Sequence, residues 1–281
     1  MDTVKNKLSM KKKILFGLLG LVVAMFTMTA CSNDDDNNNG GASGLKLTSM
    51  EYTYGEYVDK ENYIYDEQGR IKKFSWSSNN EYKGTVTVTY DYQGNTIIMT
   101  QYDDDVEGTT TKYTLENGVI TKGVVTNDEG EVVGNSNFSY DKDGQLVSIV
   151  GNEGNSYVYE TTIVWKDGNI ESYTEKEGSY LNQHTCKYTS ESAVKGLVVD
   201  LDGIDLGDFD NEGKILFKLG YFGKQSKNLL ASIQCDRGTY SSYTYYTYGF
   251  EGKDGYVSSR TITRTYKSGG TTTYVQKYTW E

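Results

Sequence analysis

No proline occurs anywhere in the 281 residues, where average usage of about 5% would place roughly a dozen. Proline cannot donate to a β-ladder and survives in sheets only at edges, strand starts or bulges. Its absence fits a chain committed almost wholly to paired strands with short turns. Histidine is nearly missing as well, since His184 stands alone. No motif sets a serine or cysteine beside it, as nucleophilic catalysis needs. It is read as a strand residue hydrogen-bonded at the sheet; no catalytic residue is assigned, and the chain is read as a non-enzyme. Basic residues are scarce: 28 Lys and Arg face 39 Asp and Glu, a net charge of −11. A chain this acidic repels phosphate and has no basic patch, which excludes nucleic-acid binding.

Only one long apolar run exists, Ile14 to Met25, and it is too short for a membrane span of roughly 20 residues. Lys11, Lys12 and Lys13 precede it, and Thr27-Met28-Thr29-Ala30-Cys31 follow. A basic start, an apolar middle and small residues before a cysteine read as a lipoprotein signal peptide over residues 1–30. Cys31 is the expected lipidation site, through which the chain would be held to the membrane. Loss of Asp2, Lys5, Lys7 and Lys11–Lys13 takes the net charge from −11 to −15. Attachment must then come from the lipid, because anionic headgroups repel such a surface. The linker, residues 31–44, is Cys31 followed by SNDDDNNNGGASG, a polar, glycine-rich tether that cannot fold. The folded domain is expected over residues 45–281.

Within it an aromatic-rich strand ends in Asp-x-x-Gly and another apolar strand follows. Tyr65-Asp66-Glu67-Gln68-Gly69 and Tyr140-Asp141-Lys142-Asp143-Gly144 are clear copies; Asn117-Gly118 and Asp167-Gly168 are shorter ones. The turn glycines 69, 94, 118, 144 and 168 lie 24 to 26 residues apart, enough for two strands and two turns. Asp at the start of a type I turn accepts backbone N–H groups, and Gly at its end takes the left-handed conformation. Asn-Gly and Asp-Gly suit two-residue type I′ hairpins. These acids are turn formers. Between turns, Val86, Val88, Tyr90 and Tyr92 share one face while Thr85, Thr87 and Thr89 share the other. Near the C-terminus Ile262, Arg264 and Tyr266 share a face that the arginine interrupts. Such alternation reads as an antiparallel sheet with one packed and one solvated face. The polar face argues against a membrane-spanning barrel, which needs an apolar band toward lipid.

The alternation breaks over about residues 190–230, where glycines, short apolar runs and close-set acids predict an irregular, partly helical insertion. Here the stretch Leu219-Gly220-Tyr221-Phe222-Gly223-Lys224-Gln225-Ser226-Lys227-Asn228-Leu229 resembles a signature of an exported Bacteroidetes lipoprotein family, domain of unknown function 4595. The tyrosine-aspartate turns at Tyr65-Asp66 and Tyr140-Asp141 are similar to that family's. Its fold is porin-like, so the resemblance implies a curved or closed up-and-down sheet, and it supplies no catalytic residues. The expected fold is all-β, antiparallel and barrel-like, porin-like but soluble. Asp34-Asp35-Asp36 after Cys31 is similar to the signal that sends such lipoproteins to the outer face of the outer membrane.

Candidate sites are few. Asp208, Asp210 and Glu212 imitate the first half of a calcium loop, although the closing bidentate Glu would fall at Leu219. Calcium is the only cofactor the sequence suggests. Tyr243, Tyr245 and Tyr248 are candidates for stacking on a flat ligand or for cross-strand packing. Cys186 and Cys235 fall on the apolar phase of their strands and are read either as a disulfide or as two buried thiols. The functional expectation is an outer-membrane, surface-exposed, non-catalytic module binding a glycan or other small ligand. A structural or adhesive protein with a protein partner is the alternative, and a carboxylate hydrolase stands third.

Overall fold

The computed structural model describes residues 45–79, 84–154, 157–193, 211–250 and 255–281. The chain begins with β1 (Leu47–Tyr54), β2 (Tyr57–Tyr65), β3 (Ile71–Ser78) and β4 (Thr85–Gln93). Next come β5 (Thr96–Asp103), β6 (Val106–Glu116), β7 (Val119–Thr126) and β8 (Val132–Tyr140). After them run β9 (Leu146–Glu153), β10 (Tyr157–Lys166), β11 (Asn169–Glu177) and β12 (Tyr180–Ser192). Helix α1 (Asn211–Lys218) precedes β13 (Asn228–Asp236), β14 (Ser242–Gly249), β15 (Ser259–Tyr266) and β16 (Thr271–Trp280). Each strand pairs antiparallel with its sequence neighbours and β1 pairs with β16, closing a barrel of sixteen described strands. The all-β, up-and-down fold expected from the sequence is the one observed, and closure leaves no free edge.

Polarity decides which way the wall faces. On β4, Val88 and Tyr90 are buried while Thr85, Asp91 and Thr89 are exposed. On β6, Thr111, Tyr113 and Leu115 point in while Lys112, Thr114 and Glu116 point out. A transmembrane barrel has the opposite arrangement, with its apolar band toward lipid and a polar lumen. This barrel shares a porin's connectivity and carries its apolar residues inside.

The turns follow from their residues. Asp66 Oδ1 accepts from the backbone N–H of Gln68 at 3.0 Å and of Arg70 at 2.9 Å. Asp141 Oδ1 does the same for Asp143 and Gln145, both at 2.9 Å. Asn117-Gly118 and Asp167-Gly168 take positive φ at both positions (52° and 84°, 51° and 78°), the type I′ geometry. Because the repeat spans two strands, all these turns lie at one end of the barrel.

Next to that end, inward aromatics at the ends of alternate strands donate to the start of the strand before. Tyr65 Oη reaches Leu47 O at 2.9 Å, Tyr92 reaches Ile71 O at 2.9 Å and Tyr140 reaches Ile120 O at 2.6 Å. Trp165 Nε1 reaches Leu146 O at 2.8 Å, Tyr248 Oη reaches Leu230 O at 2.7 Å, and Trp280 Nε1 reaches Val257 O at 2.8 Å. All of these acceptor residues are buried. The repeated aromatic therefore supplies both apolar bulk and a polar tip that gives a buried carbonyl a partner.

The excursion between β12 and β13 fills this end. Ile215, Leu216 and Phe217 of α1 are buried among inward residues of the wall. The helix stops in a Schellman motif: Gly220 N–H donates to Phe217 O at 2.9 Å and Tyr221 N–H to Leu216 O at 3.0 Å, with Gly220 at φ 81°. Phe222 then meets Tyr113 edge-on at 5.9 Å and Phe138 at 4.9 Å. Residues 221–227 step along successive repeat turns. Ile120 N–H donates to Tyr221 O at 2.7 Å, Lys224 N–H to Gly144 O at 3.0 Å, and Lys227 N–H to Gly168 O at 3.0 Å. Gly223, at φ 84°, passes so close that a Cβ there would lie 2.5 Å from Gly144 O.

Removing one hydroxyl of the aromatic ring leaves a buried carbonyl short of a donor. Tyr140→Phe is expected to lower unfolding free energy by about 1–2 kcal/mol. Tyr243→Phe removes a bond to Gln234 on the exposed outer face and is expected to be within about 0.5 kcal/mol of the parent. Urea unfolding midpoints of the two variants check the difference.

Candidate ligand-binding cavity

Above the plugged half the lumen is polar. A layer of buried groups separates the two halves: Arg260 Nε donates to Gln276 Oε1 at 2.8 Å, and Tyr278 Oη donates to the same oxygen at 2.7 Å. Arg260 also stands over the Tyr246 ring, 5.3 Å from its centroid. Beside them Tyr63 Oη donates to the buried Glu61 carboxylate. Burial, with the Glu61 charge behind it, pushes the Tyr63 phenol well above its ordinary range.

Beyond this layer lies a cavity of about 770 Å³. Its walls are parts of β1 to β3 and β11 to β16 and the turn after β13. Three acids line it, Asp59, Glu61 and Glu175, and three bases, His184, Arg237 and Arg264. The rings of Tyr52, Trp76, Tyr246, Tyr266 and Tyr274 lie among them. Tyr240, 74% exposed, and Arg237 bring the cavity to the surface at the mouth. Each of these side chains is placed by the period of two: Asp59 and Glu61 are in phase with Tyr63, Glu175 with Tyr173, and Arg264 with Ile262.

One hydrogen-bonded chain crosses the wall. Arg237 Nε donates to Asn182 Oδ1 at 2.7 Å, and Asn182 Nδ2 donates to Glu175 Oε2 at 3.4 Å. His184 Nε2 meets the same carboxylate oxygen at 2.9 Å, while its ring stacks on Tyr173 with centroids 4.1 Å apart. Cys235 Sγ lies 3.9 Å from that nitrogen. Burial opposes charge on His184, but the contacts with Cys235 and Glu175 outweigh it and lift the ring to about 9. Acid and thiol thus face one nitrogen. A relay that activates a nucleophile needs them on opposite nitrogens, and Nδ1 is buried with no hydrogen-bond partner among the described residues. The trio ties β11, β12 and β13 together within the wall and lacks the geometry of a catalytic dyad.

The residues singled out from sequence fall in different places. Tyr243 and Tyr245 stand on the outer face of β14, 45% and 50% exposed, with ring centroids 6.3 Å apart. Tyr248 points inward and belongs to the aromatic ring at the plugged end, so the three do not share a surface. Cys186 and Cys235 are free thiols. The register sets Cys186 opposite Ile233 and Cys235 opposite His184, two residues out of step for each other. Cys31, Asp208 and Asp210 lie outside the described residues, and Glu212 is known only as a backbone position in α1. Among the described residues no group of three metal-ligating side chains gathers. The cavity residues were missed because each was read singly. Their common signal is charge on the apolar phase of a strand, noticed only at Arg264.

The His184 shift fixes a pH dependence. Its folded value lies above the unfolded value of about 6.5, so its contribution to stability is complete below that pH and is lost as pH rises through about 9. Glu175, Cys235 and Tyr173 are the groups that face it. Urea unfolding of the parent is expected to weaken from about pH 7 to about pH 9.5 more steeply than that of His184→Gln. Parallel curves for the two proteins would contradict the assignment.

Known structures share this architecture. A porin-like protein from Bacteroides uniformis superposes with a TM-score of 0.68 at 19% identity, covering 85% of this chain and 99% of that one. A porin-like protein from Bacteroides vulgatus gives 0.54 at 14% identity, covering 84% and 98%. Identities this low speak for the fold alone. No curated protein matches the chain. The model of one family matches residues 64–259, from β2 through the insertion into β15. With most of the barrel and its plug inside that match, the chain belongs to the family described as a domain of unknown function (DUF4595) with porin-like fold.

Proposed function

We propose that this protein is a non-catalytic binding module of the bacterial envelope, held to the outer membrane by lipid on Cys31 and displayed at the cell surface. Its ligand is a small polar molecule, with a glycan of one to three sugars as the first class to test. The observation that carries this reading is the cavity itself. A barrel plugged at one end leaves a concave, surface-reaching pocket of about 770 Å³, within the range of roughly 300–1,000 Å³ typical of small-molecule sites. Its lining alternates flat rings (Tyr52, Trp76, Tyr274) with side chains that fix orientation by hydrogen bonds (Asn182, Gln276, Arg264). Rings offer faces to the C–H surfaces of a sugar, and the amide, carboxylate and guanidinium groups suit its hydroxyls. The acidic surface and polar outer wall support attachment through a lipid rather than through the barrel.

The test is a thermal-shift titration of the protein with neutral and charged mono- to trisaccharides, with and without calcium. Saturable stabilisation by one sugar class is expected, growing as RT ln(1 + [L]/Kd). The same titration of Trp76→Ala should lose most of that shift. No saturable shift with any sugar would remove the glycan reading.

A further inference from the structure

The cavity is closed at its base. Its floor is the buried layer of Arg260, Gln276 and Tyr278, and behind that layer the plug sets Leu216, Phe217 and Phe222, all fully buried. A polymer cannot thread such a lumen, so a chain that enters does so by an end. Along β2 the cavity runs from Glu61 to the rim at Tyr57, at most about 13 Å at the rise of an extended strand. That depth holds a few sugars, and anything longer must continue across the mouth.

The mouth is where the exposed tyrosines gather. Six are exposed among the described residues: Tyr243 and Tyr245 on the outer wall, and Tyr54, Tyr57, Tyr180 and Tyr240 here. Tyr54 and Tyr57 pair across the β1–β2 turn. Tyr54 also tilts against Tyr274 at 5.0 Å, and Tyr274 stacks on Tyr52 at 5.2 Å, so rings climb the wall from cavity to rim. Tyr180 opens β12 in phase with Asn182 and His184, and Tyr240 stands in the next turn along the same rim; each is 74% exposed.

Turn chemistry does not ask for these rings. Tight turns favour Gly, Asn and Asp, and Gly55, Gly178 and Gly238 already supply the positive φ in the three turns concerned. The β5–β6 and β7–β8 turns lie on the same rim but wall none of the cavity, and they carry Val106 and Val132 with no exposed ring. Exposed tyrosine therefore follows the cavity and not the rim.

We infer that the ligand is the end of a longer oligosaccharide, its terminal sugars in the cavity and the following ones laid across the rings of Tyr180 and Tyr240. Tyr54 and Tyr57 stand on the other flank of the mouth. This inference rests on the reading of the cavity as a glycan site and specifies the glycan as a chain end.

Calorimetric titration of the whole protein with linear oligomers of one to six units tests it. Four series serve as probes: β-1,4-linked glucose, α-1,4-linked glucose, β-1,4-linked mannose and β-1,4-linked N-acetylglucosamine. In a series that binds, the hexamer is expected to exceed the trimer about ten-fold, as ring faces at the mouth are removed from water. A bulky cap on one end of that hexamer should abolish binding, and the same cap on the other end should be tolerated. Tyr180→Ala, outside the cavity lining, is expected to weaken the hexamer about five-fold and the dimer less than about two-fold. Tyr243→Ala, on the outer wall, should change neither. Affinity that levels off at the trimer, or a hexamer indifferent to both caps, would overturn the chain end and leave the glycan site standing. Binding by no series would overturn both.

Discussion

The structure depends on the width of its own ring. About eight strands make a barrel whose inward side chains meet and fill it, whereas sixteen leave a lumen they cannot span. A closed ladder of sixteen strands therefore has to fill its centre, admit water, or do each in a different half. This chain does the last. Helix α1 and the segment after it bring Leu216, Phe217 and Phe222 to the middle of one half, where inward residues from β6 and β8 converge on Phe222. The other half keeps its width and becomes the polar cavity. A porin solves the same geometry with water in the lumen and lipid outside; here the inversion of polarity places an apolar core where the channel would run.

The repeat and the plug are complementary parts of one arrangement. A period of two strands sets the Asp-x-x-Gly and Asn-Gly turns along a single rim, so their backbone carbonyls recur at regular intervals. Residues 221–227 form no regular element and meet that rim at Ile120, Gly144 and Gly168 in turn. Gly223 is needed because the two backbones touch there. The tyrosines that precede the turns close the gaps beneath, each giving a buried carbonyl a partner. Elsewhere on the wall Tyr159 lies where a side chain on Gly151 would be, with its Oη 2.2 Å from the position of that missing Cβ. Small and large residues on neighbouring strands fit one another in this way.

Much of the fold was legible because its determinants are local. Turn chemistry at Asp66, Asn117, Asp141 and Asp167 depends on four or five residues, and the alternation of Val88 and Tyr90 with Thr87 and Thr89 declares the buried face. The pairing of β1 with β16 was not legible, since it joins positions such as Tyr52 and Gln276 that no local pattern connects. Nor was the cavity. Asp59, Glu61, Glu175 and Arg264 each look like a lapse in an apolar face until closure brings the lapses together. The crowded tyrosines divide by phase: Tyr243 and Tyr245 face outward, and Tyr248 joins the inward aromatic ring. A rule follows for barrels of this width: charges in phase with the inward aromatics mark the half of the lumen that the core does not occupy.

The central claim is that residues 211–227 are an integral plug whose docking on the repeat turns divides the lumen. Hydrogen–deuterium exchange at the amides of Ile120, Lys224 and Lys227, which make the plug-to-rim bonds, tests it most directly. They are expected to be protected as strongly as the amides of β6 and β9, opening only with the barrel as a whole. Exchange of these three at loop rates, while the strands stay protected, would mean that the plug is not docked and that the lumen is not divided.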